Sequence, residues 1–257
     1  MNILVIIKQT FDTEAKIVLD GTGKIDANGV NLIINPYDEF AIEEGIRLKE
    51  KFGGEVTVVT MGGARAQEAI RTALAMGIDK GVLVSDPELD NTDEYSRANI
   101  LAKAIAEIPY DIILVGRIAI DDGASQLAVR LAEALKIPSI SSVLKLEIDG
   151  TQVNATREID GGTESIEVSL PTVITAQKGL NEPRYPSVAG IMKAKKKPLK
   201  TMTLADLGFN AGDLSLKMNI DKYSLPTARQ AGRKIEGDAA QAANELARLL
   251  REEAKVL

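Results

Sequence analysis

The chain contains no cysteine, no histidine and no tryptophan. Without cysteine it can build no disulfide, thiolate nucleophile or sulfur-ligated metal site, and without histidine it has neither a Ser/His relay nor the common zinc ligand sets. Five tyrosines and four phenylalanines are all its aromatics. Long hydrophobic runs are also missing: the opening MNILVIIKQT is apolar but short, with no basic lead, no cleavage site and too little length to span a bilayer. Positive charge is in deficit, 31 Lys and Arg against 37 Asp and Glu for a net charge of -6, which argues against a general nucleic-acid or membrane-surface role. A soluble, cytoplasmic chain without membrane insertion is the expectation. Glycine-rich phosphate loops are absent too. There is no Walker A run and no GxGxxG, and Gly62-Gly63 is only a pair, more often a tight turn than a phosphate cradle.

What is present is a β-α alternation. The 257 residues can bury one substantial core, as one large α/β domain or a domain plus an appendage. Asn2 to Ile7 reads as a buried strand, Gln9 to Lys16 as loop, and Ile17 to Val30 as an excursion hairpin. Asn35-Pro36-Tyr37-Asp38 has the form of a helix start, with Asn as N-cap, Pro at the first helical position and an acid at the third. That helix carries Ile42, Ile46 and Leu48 and stops at Gly53-Gly54. Strands at Glu55 to Met61, Gly81 to Ser85 and Asp111 to Gly116 then alternate with helices near Ala64 to Met76, Glu94 to Ile108 and Gly123 to Leu135. Unbroken Val/Ile/Leu strands between amphipathic helices need cover on both faces, which predicts a doubly wound parallel sheet. Ligands of such sheets gather at the carboxyl ends of the strands near the switch point, here the loops Lys8 to Asp12, Met61 to Ala64 and Gly116 to Ser125.

Of these loops GRIAIDDGASQ, Gly116 to Gln126, is the best candidate. Backbone amides at a helix N-terminus can hold a phosphate, and Gly116 and Gly123 allow close approach. The other reading makes Asp121 and Asp122 simple caps, whose negative charge opposes an anion unless they face away.

The stretch from Ala155 to Lys197 is the most specific. Ile166 to Thr175 reads as one strand passing from half exposed to buried, and Asp160-Gly161-Gly162 is the turn that doubles the preceding strand back. AsnGluProArgTyrPro follows as a stiff extended loop. The order A-x-R, two residues, DGG, one residue, E-x-I, four residues, P-x-V-I-T runs through Ala155, Arg157, Asp160, Gly161, Gly162, Glu164, Ile166, Pro171, Val173 and Thr175. It resembles the signature of the electron-transfer flavoprotein β subunit, and NEPRYPS with IMKAKKK resembles that family's next segment. The similarity covers nearly the whole chain and thins after about Pro226.

The resemblance implies a scaffold subunit paired with an α subunit that holds most of an FAD. Electrons would pass from flavin dehydrogenases, such as acyl-CoA dehydrogenases, to a downstream membrane or iron-sulfur acceptor. It implies an AMP in this chain, contacted by Ile6, Asn35, Pro36, Tyr37, Asp38, Met61 and the run Gly116, Arg117, Ile118, Ala119, Ile120, Asp121, Asp122, Gly123, Ala124, Ser125, Gln126 and Leu127. Tyr37 and Thr13 fall where the family faces the partner's flavin; the plain alternative for Tyr37 is a half-buried ring at the helix start. Arg117 stands where a lysine is usual. No bond chemistry is expected of this chain, which also lacks the SGGxDS-type loop of related ATP-splitting enzymes. Two alternatives stay open: a bifurcating member with a second FAD and an NADH site, to whose opening KQTFDT is similar, and a stand-alone ATP- or AMP-binding enzyme of the same fold.

The segment Asn181, Glu182, Pro183, Arg184, Tyr185 to Val188, Ile191, Met192 and Lys193 resembles the family's dehydrogenase-docking loop, with Val188 as its apolar anchor. The adjoining Lys193, Lys195, Lys196 and Lys197 would draw acidic partners. Arg157, Asp160 and Glu164 are expected to be a salt-bridged hairpin surface. Residues 1–226 are therefore expected to form the nucleotide-binding domain. Residues 227–257 are expected to form a linker and a helical arm capped by Asp238, whose stripe of Ala239, Ala242, Ala243, Leu246, Leu249 and Leu250 would pack on the partner subunit.

Overall fold

The structure is a computed structural model that describes every residue except 211–213, 215 and 230. The chain divides into two compact units, Met1–Ile17 with Ala27–Asp221, and Val18–Asp26 with Lys222–Leu257. In chain order the first unit contains β1 (Asn2–Ile7), β2 (Gln9–Phe11), β3 (Leu32–Ile34), α1 (Pro36–Phe52), β4 (Glu55–Met61), α2 (Ala66–Met76), β5 (Lys80–Val84), α3 (Glu94–Ile105), β6 (Ile112–Gly116) and α4 (Leu127–Leu135). It continues with β7 (Ser139–Asp149), β8 (Gln152–Ile159), β9 (Gly162–Ser169), β10 (Thr172–Ala176), α5 (Val188–Ala194) and β11 (Leu199–Met202). The second unit holds α6 (Ala239–Glu252).

A nine-stranded sheet in the order β11-β5-β4-β1-β6-β10-β7-β8-β9 forms the body. From β11 to β7 every pairing is parallel, while β8 and β9 extend the β7 edge in antiparallel fashion. The doubly wound architecture is as expected, and the period-2 geometry of β1 shows how it is sealed. Ile3, Val5 and Ile7 join the cluster that includes Ile42 and Ile46 of α1 and Ile70 and Leu74 of α2. Leu4 and Ile6 point the other way, into the cluster with Leu101 of α3 and Leu131 of α4. Both sheet faces are thus covered by helices, and each fully buried Ile or Leu is worth about 1.5–3 kcal/mol.

Several local expectations are corrected. Gln9 to Lys16 is not all loop, because β2 pairs with β3. The helix expected from Gly123 begins only at Leu127, since Gly123 and Ser125 hold left-handed φ angles of 64° and 53°. Ile166 to Thr175 is two strands, interrupted at Leu170-Pro171, whose peptide bond is cis. The first half pairs antiparallel in the edge hairpin and the second enters the parallel sheet. The segment expected to be a docking loop is extended only as far as Ser187, which caps the short helix α5 by accepting the Gly190 N–H at 3.0 Å. Arg157 and Glu164 do pair across the hairpin at 2.7 Å.

In the second unit, the 18–26 segment closes on an antiparallel bridge between Leu19 and Ile25. Helix α6 starts in a capping box: Asp238 accepts the Gln241 N–H at 2.8 Å, and the Gln241 side chain accepts the Asp238 N–H at 3.2 Å. None of the residues of α6 is buried.

Candidate functional site

From β1 the chain moves to β4 and β5 on one side and later returns to β6 on the other. The switch point therefore lies between the carboxyl ends of β1 and β6, where open α/β sheets leave a crevice. The N-terminus of α1 is set into it. Asp38 Oδ2 accepts the Lys8 N–H at 2.7 Å and Asp38 Oδ1 accepts the Gly116 N–H at 3.0 Å, so one carboxylate ties both strand ends together. Burial pushes its pKa up to about 7, against the lowering effect of these N–H groups and of Asn35.

Asn35 occupies the N-cap position of α1 but makes no capping hydrogen bond. Its buried amide is turned to the neighbouring loop instead: Nδ2 donates to the Ile118 carbonyl at 2.9 Å and Oδ1 accepts the Ile120 N–H at 3.2 Å. The expected cap is thus a fastener for the Gly116 to Leu127 loop. The acids of that loop are engaged as well. Lys8 Nζ reaches Asp121 at 2.8 Å and Asp122 at 2.7 Å. Desolvation works against the Lys8 charge, yet the two carboxylates hold its pKa above the ordinary value. For Asp122 desolvation is likewise outweighed, by the Ala124 N–H and Lys8, and its pKa is lowered. This pairing offsets one of the two negative charges that Asp121 and Asp122 would present to an anion.

Together these elements enclose a cleft of about 240 Å³. Of the residues expected there, Ile6, Asn35, Asp38, Met61, Gly116, Arg117, Ile118, Ala119, Asp122, Ala124, Ser125, Gln126 and Leu127 line it. Pro36, Tyr37, Ile120, Asp121 and Gly123 lie beside it without lining it, and Thr13 is exposed beyond β2. Sequence reasoning placed the Lys8 to Asp12 loop here but missed Lys8 as the partner of two acids. It also missed Leu89, Glu94 and Arg97, which close the cleft from the α3 side. For Lys8 the signal was available, as the first residue past a buried strand in a doubly wound fold. For Arg97 there was none.

The lining combines apolar and charged side chains. Ile6, Ala66, Leu89, Leu101 and Val115 form an apolar wall, and Arg117 lines the cleft beside Lys8 and Arg97, which are paired with Asp121 and Asp122 and with Glu94. Among the described residues the Ser125 and Gln126 N–H groups, leading into α4, have no hydrogen-bond partner. Also among the described residues, no group of three or more acidic side chains is arranged to hold a metal ion, and no helix is long and apolar enough to cross a membrane.

The second candidate region is displayed rather than enclosed. Asn181 is buried, its Nδ2 donating to the Phe40 carbonyl and to Glu44 Oε2, both at 3.0 Å. Glu182 is exposed, Pro183 half-buried, and Arg184 folds back onto α1. Beyond it Tyr185 is 94% exposed, Val188 81%, Met192 61% and Ile191 48%. Lys193, Lys195 and Lys196 are exposed beside them, whereas Lys197 is turned inward, donating to the carbonyls of Leu74 at 2.9 Å and Ile78 at 2.5 Å. The expected basic cluster is three residues in its free form.

Fold and cleft define a doubly wound α/β protein with its binding crevice at the switch point. Residues 22–207 match the family model of the electron transfer flavoprotein domain. The chain is 51% identical over 258 residues to the electron transfer flavoprotein subunit beta of Bacillus subtilis (strain 168), covering 100% of both chains. It is 49% identical over 257 residues to that of Syntrophomonas wolfei, covering 100% of this chain and 98% of the relative. To the Homo sapiens subunit it is 39% identical over 241 residues, 92% of this chain and 93% of the relative. The chain belongs to the electron transfer flavoprotein β-subunit family, whose business is flavin-linked electron transport.

Proposed function

We propose that this chain is the rigid half of a heterodimer: its α-type partner holds most of an FAD, and this chain holds an AMP and receives the electron donor. The bound FAD would supply the redox chemistry, accepting electrons from a flavin dehydrogenase and releasing them to a downstream acceptor. The residues of this chain bind, orient and position, and none of them is assigned a catalytic role. The observation that carries the reading is the cleft at the switch point, with its loop fastened by Asn35, its acids paired with Lys8 and its free N–H groups at Ser125 and Gln126.

AMP is preferred to a second FAD because REIDGGTE and NEPRYPS resemble the AMP-containing members of the family. The displayed Tyr185, Val188, Ile191 and Met192, rimmed by Lys193, Lys195 and Lys196, have the apolar centre and charged border of a protein-docking patch, suited to an acidic groove on a dehydrogenase. Residues 1–226 would then form the platform, and the 227–257 arm would pack on the partner subunit.

Co-expression with an α-type partner, followed by acid release and quantification of bound cofactors, tests this. One FAD and one AMP per heterodimer is the expected result. Two FAD and no AMP would establish the bifurcating alternative. A chain that stays monomeric in the presence of the partner and turns over ATP would overturn both.

A further inference from the structure

The segment that displays Tyr185 to Lys193 is fastened at three separate places, none of which uses the side chains it presents. Upstream, the Arg184 guanidinium meets Glu43 of α1 with both prongs, Nε to Oε2 at 2.8 Å and Nη2 to Oε1 at 3.0 Å, and reaches Glu50 at 2.7 Å through Nη1. The Arg184 backbone N–H adds a further bond to Glu43 Oε2 at 3.1 Å. In the middle, Gly190 lies so close to α2 that a Cβ there would stand 2.2 Å from the Ala75 carbonyl oxygen. Downstream, Arg71 of α2 caps the end of α5, donating through Nη1 to the carbonyls of Ala194 at 2.7 Å and Lys197 at 3.1 Å.

Each fastening answers a physical need. Helix α5 has 7 residues, too few to hold itself together in water, and its last carbonyls need donors. Glu43 is buried in α1, so its charge needs the planar fork that arginine supplies and lysine does not. Although desolvation opposes it, Arg184 keeps the Glu43 pKa below the ordinary carboxylate range. A surface set before its partner arrives loses less freedom on binding than one that must order itself.

We propose that Arg184, Gly190 and Arg71 form a three-point clamp that presets the docking segment, and that they are positioning residues for donor recognition. This rests on the docking reading above. It places specificity partly in residues that never touch the donor.

The test uses the whole heterodimer carrying Arg184→Lys, Gly190→Ala or Arg71→Gln, with Val188→Asp as the control for docking itself. Electron transfer from a flavin dehydrogenase is followed with the heterodimer as the varied acceptor, alongside amide exchange over 185–194, AMP content and thermal midpoint. Each clamp variant is expected to raise KM roughly tenfold with kcat within about twofold, and to speed exchange over 185–194 while AMP content holds. Faster exchange with unchanged KM reduces the clamp to a stabilising feature and overturns the proposal, as does unchanged exchange. If Val188→Asp raises KM and the clamp variants do not, the clamp alone fails. If Val188→Asp leaves KM unchanged, the docking reading falls with it. Should Gly190→Ala fail to assemble, Arg184→Lys, which keeps the charge and removes only the fork, decides the matter.

Discussion

Gly116 and Asp38 stand in such close contact that a Cβ on Gly116 would lie 2.1 Å from Asp38 Oδ1 and 2.8 Å from the Asp38 backbone nitrogen. The contact seats the start of α1 against the end of β6, and with it the whole switch-point cleft. Gly116→Ala must therefore push α1 away from the sheet rather than displace a flexible side-chain tip. The expected cost is about 1–3 kcal/mol of stability, together with loss of bound adenylate. Denaturant unfolding and nucleotide release, measured on the same preparation, check it; retention of wild-type AMP content would contradict the assigned geometry.

Two buried aspartates give stability opposite pH slopes. Asp38 titrates at about 7 when folded, whereas an unfolded aspartate titrates near about 3.9. Its contribution is fully present below about pH 4 and is lost as the pH rises through about 7. Asp93, which caps α3, is the reverse. Desolvation opposes its charge, but it accepts the N–H groups of Ser96 at 2.8 Å, Lys217 at 2.6 Å and Met218 at 3.0 Å. These hold its pKa down to about 2, so its contribution is present above about pH 4 and fades as the pH falls through about 2. Asp93→Asn should cost about 1–3 kcal/mol near neutrality, and the deficit should shrink toward about pH 3. Asp38→Asn should flatten the decline between about pH 4 and about pH 7. Urea titrations from about pH 3 to about pH 7 read both slopes.

The sheet was legible because its strands are unbroken apolar runs, and the first helix because Pro36 and Asp38 announce its start. What stayed hidden depends on long-range partners. Asn35 reads as a cap and Asp38 as a charge for the helix end, yet their side chains are spent on Ile118, Ile120, Lys8 and Gly116, far along the chain or across the sheet. No local pattern carries that information. Gly123 pointed to a helix start that the left-handed Ser125 postpones. The β9 edge was merged with β10 because the β-branched run continues across Leu170-Pro171, where the pairing changes from antiparallel to parallel.

Lys8 links the cleft to its own electrostatics. Lys8→Met removes the partner of Asp121 and Asp122 and leaves two carboxylates beside the place proposed for a phosphate. The pairs are partly exposed, so global stability should change by less than about 1 kcal/mol. AMP affinity should drop roughly tenfold, about 1.4 kcal/mol, at low salt. Raising the ionic strength should narrow the gap, because screening weakens the repulsion. Calorimetric titration of the apo heterodimer at two salt concentrations reads this; equal affinities for the two chains would remove Lys8 from the binding account.

Helix α6 makes the last demand on a partner. Ala242, Leu246, Leu249 and Leu250 follow one another at helical spacing along one stripe, and no residue of the helix is buried. Its other surface is already occupied with its own charges, Arg248 pairing with Glu245 at 2.8 Å and Glu252 at 2.7 Å. If the α-type partner covers the stripe, the leucines contribute about 1.5–3 kcal/mol each to association. Leu246→Asp with Leu250→Asp should then weaken the heterodimer by roughly a hundredfold or more in sedimentation equilibrium, while the unfolding transition of the sheet-containing unit stays where it was. A heterodimer of undiminished affinity would show that the arm finds its cover elsewhere, and the assignment of residues 227–257 to the partner interface would have to be withdrawn.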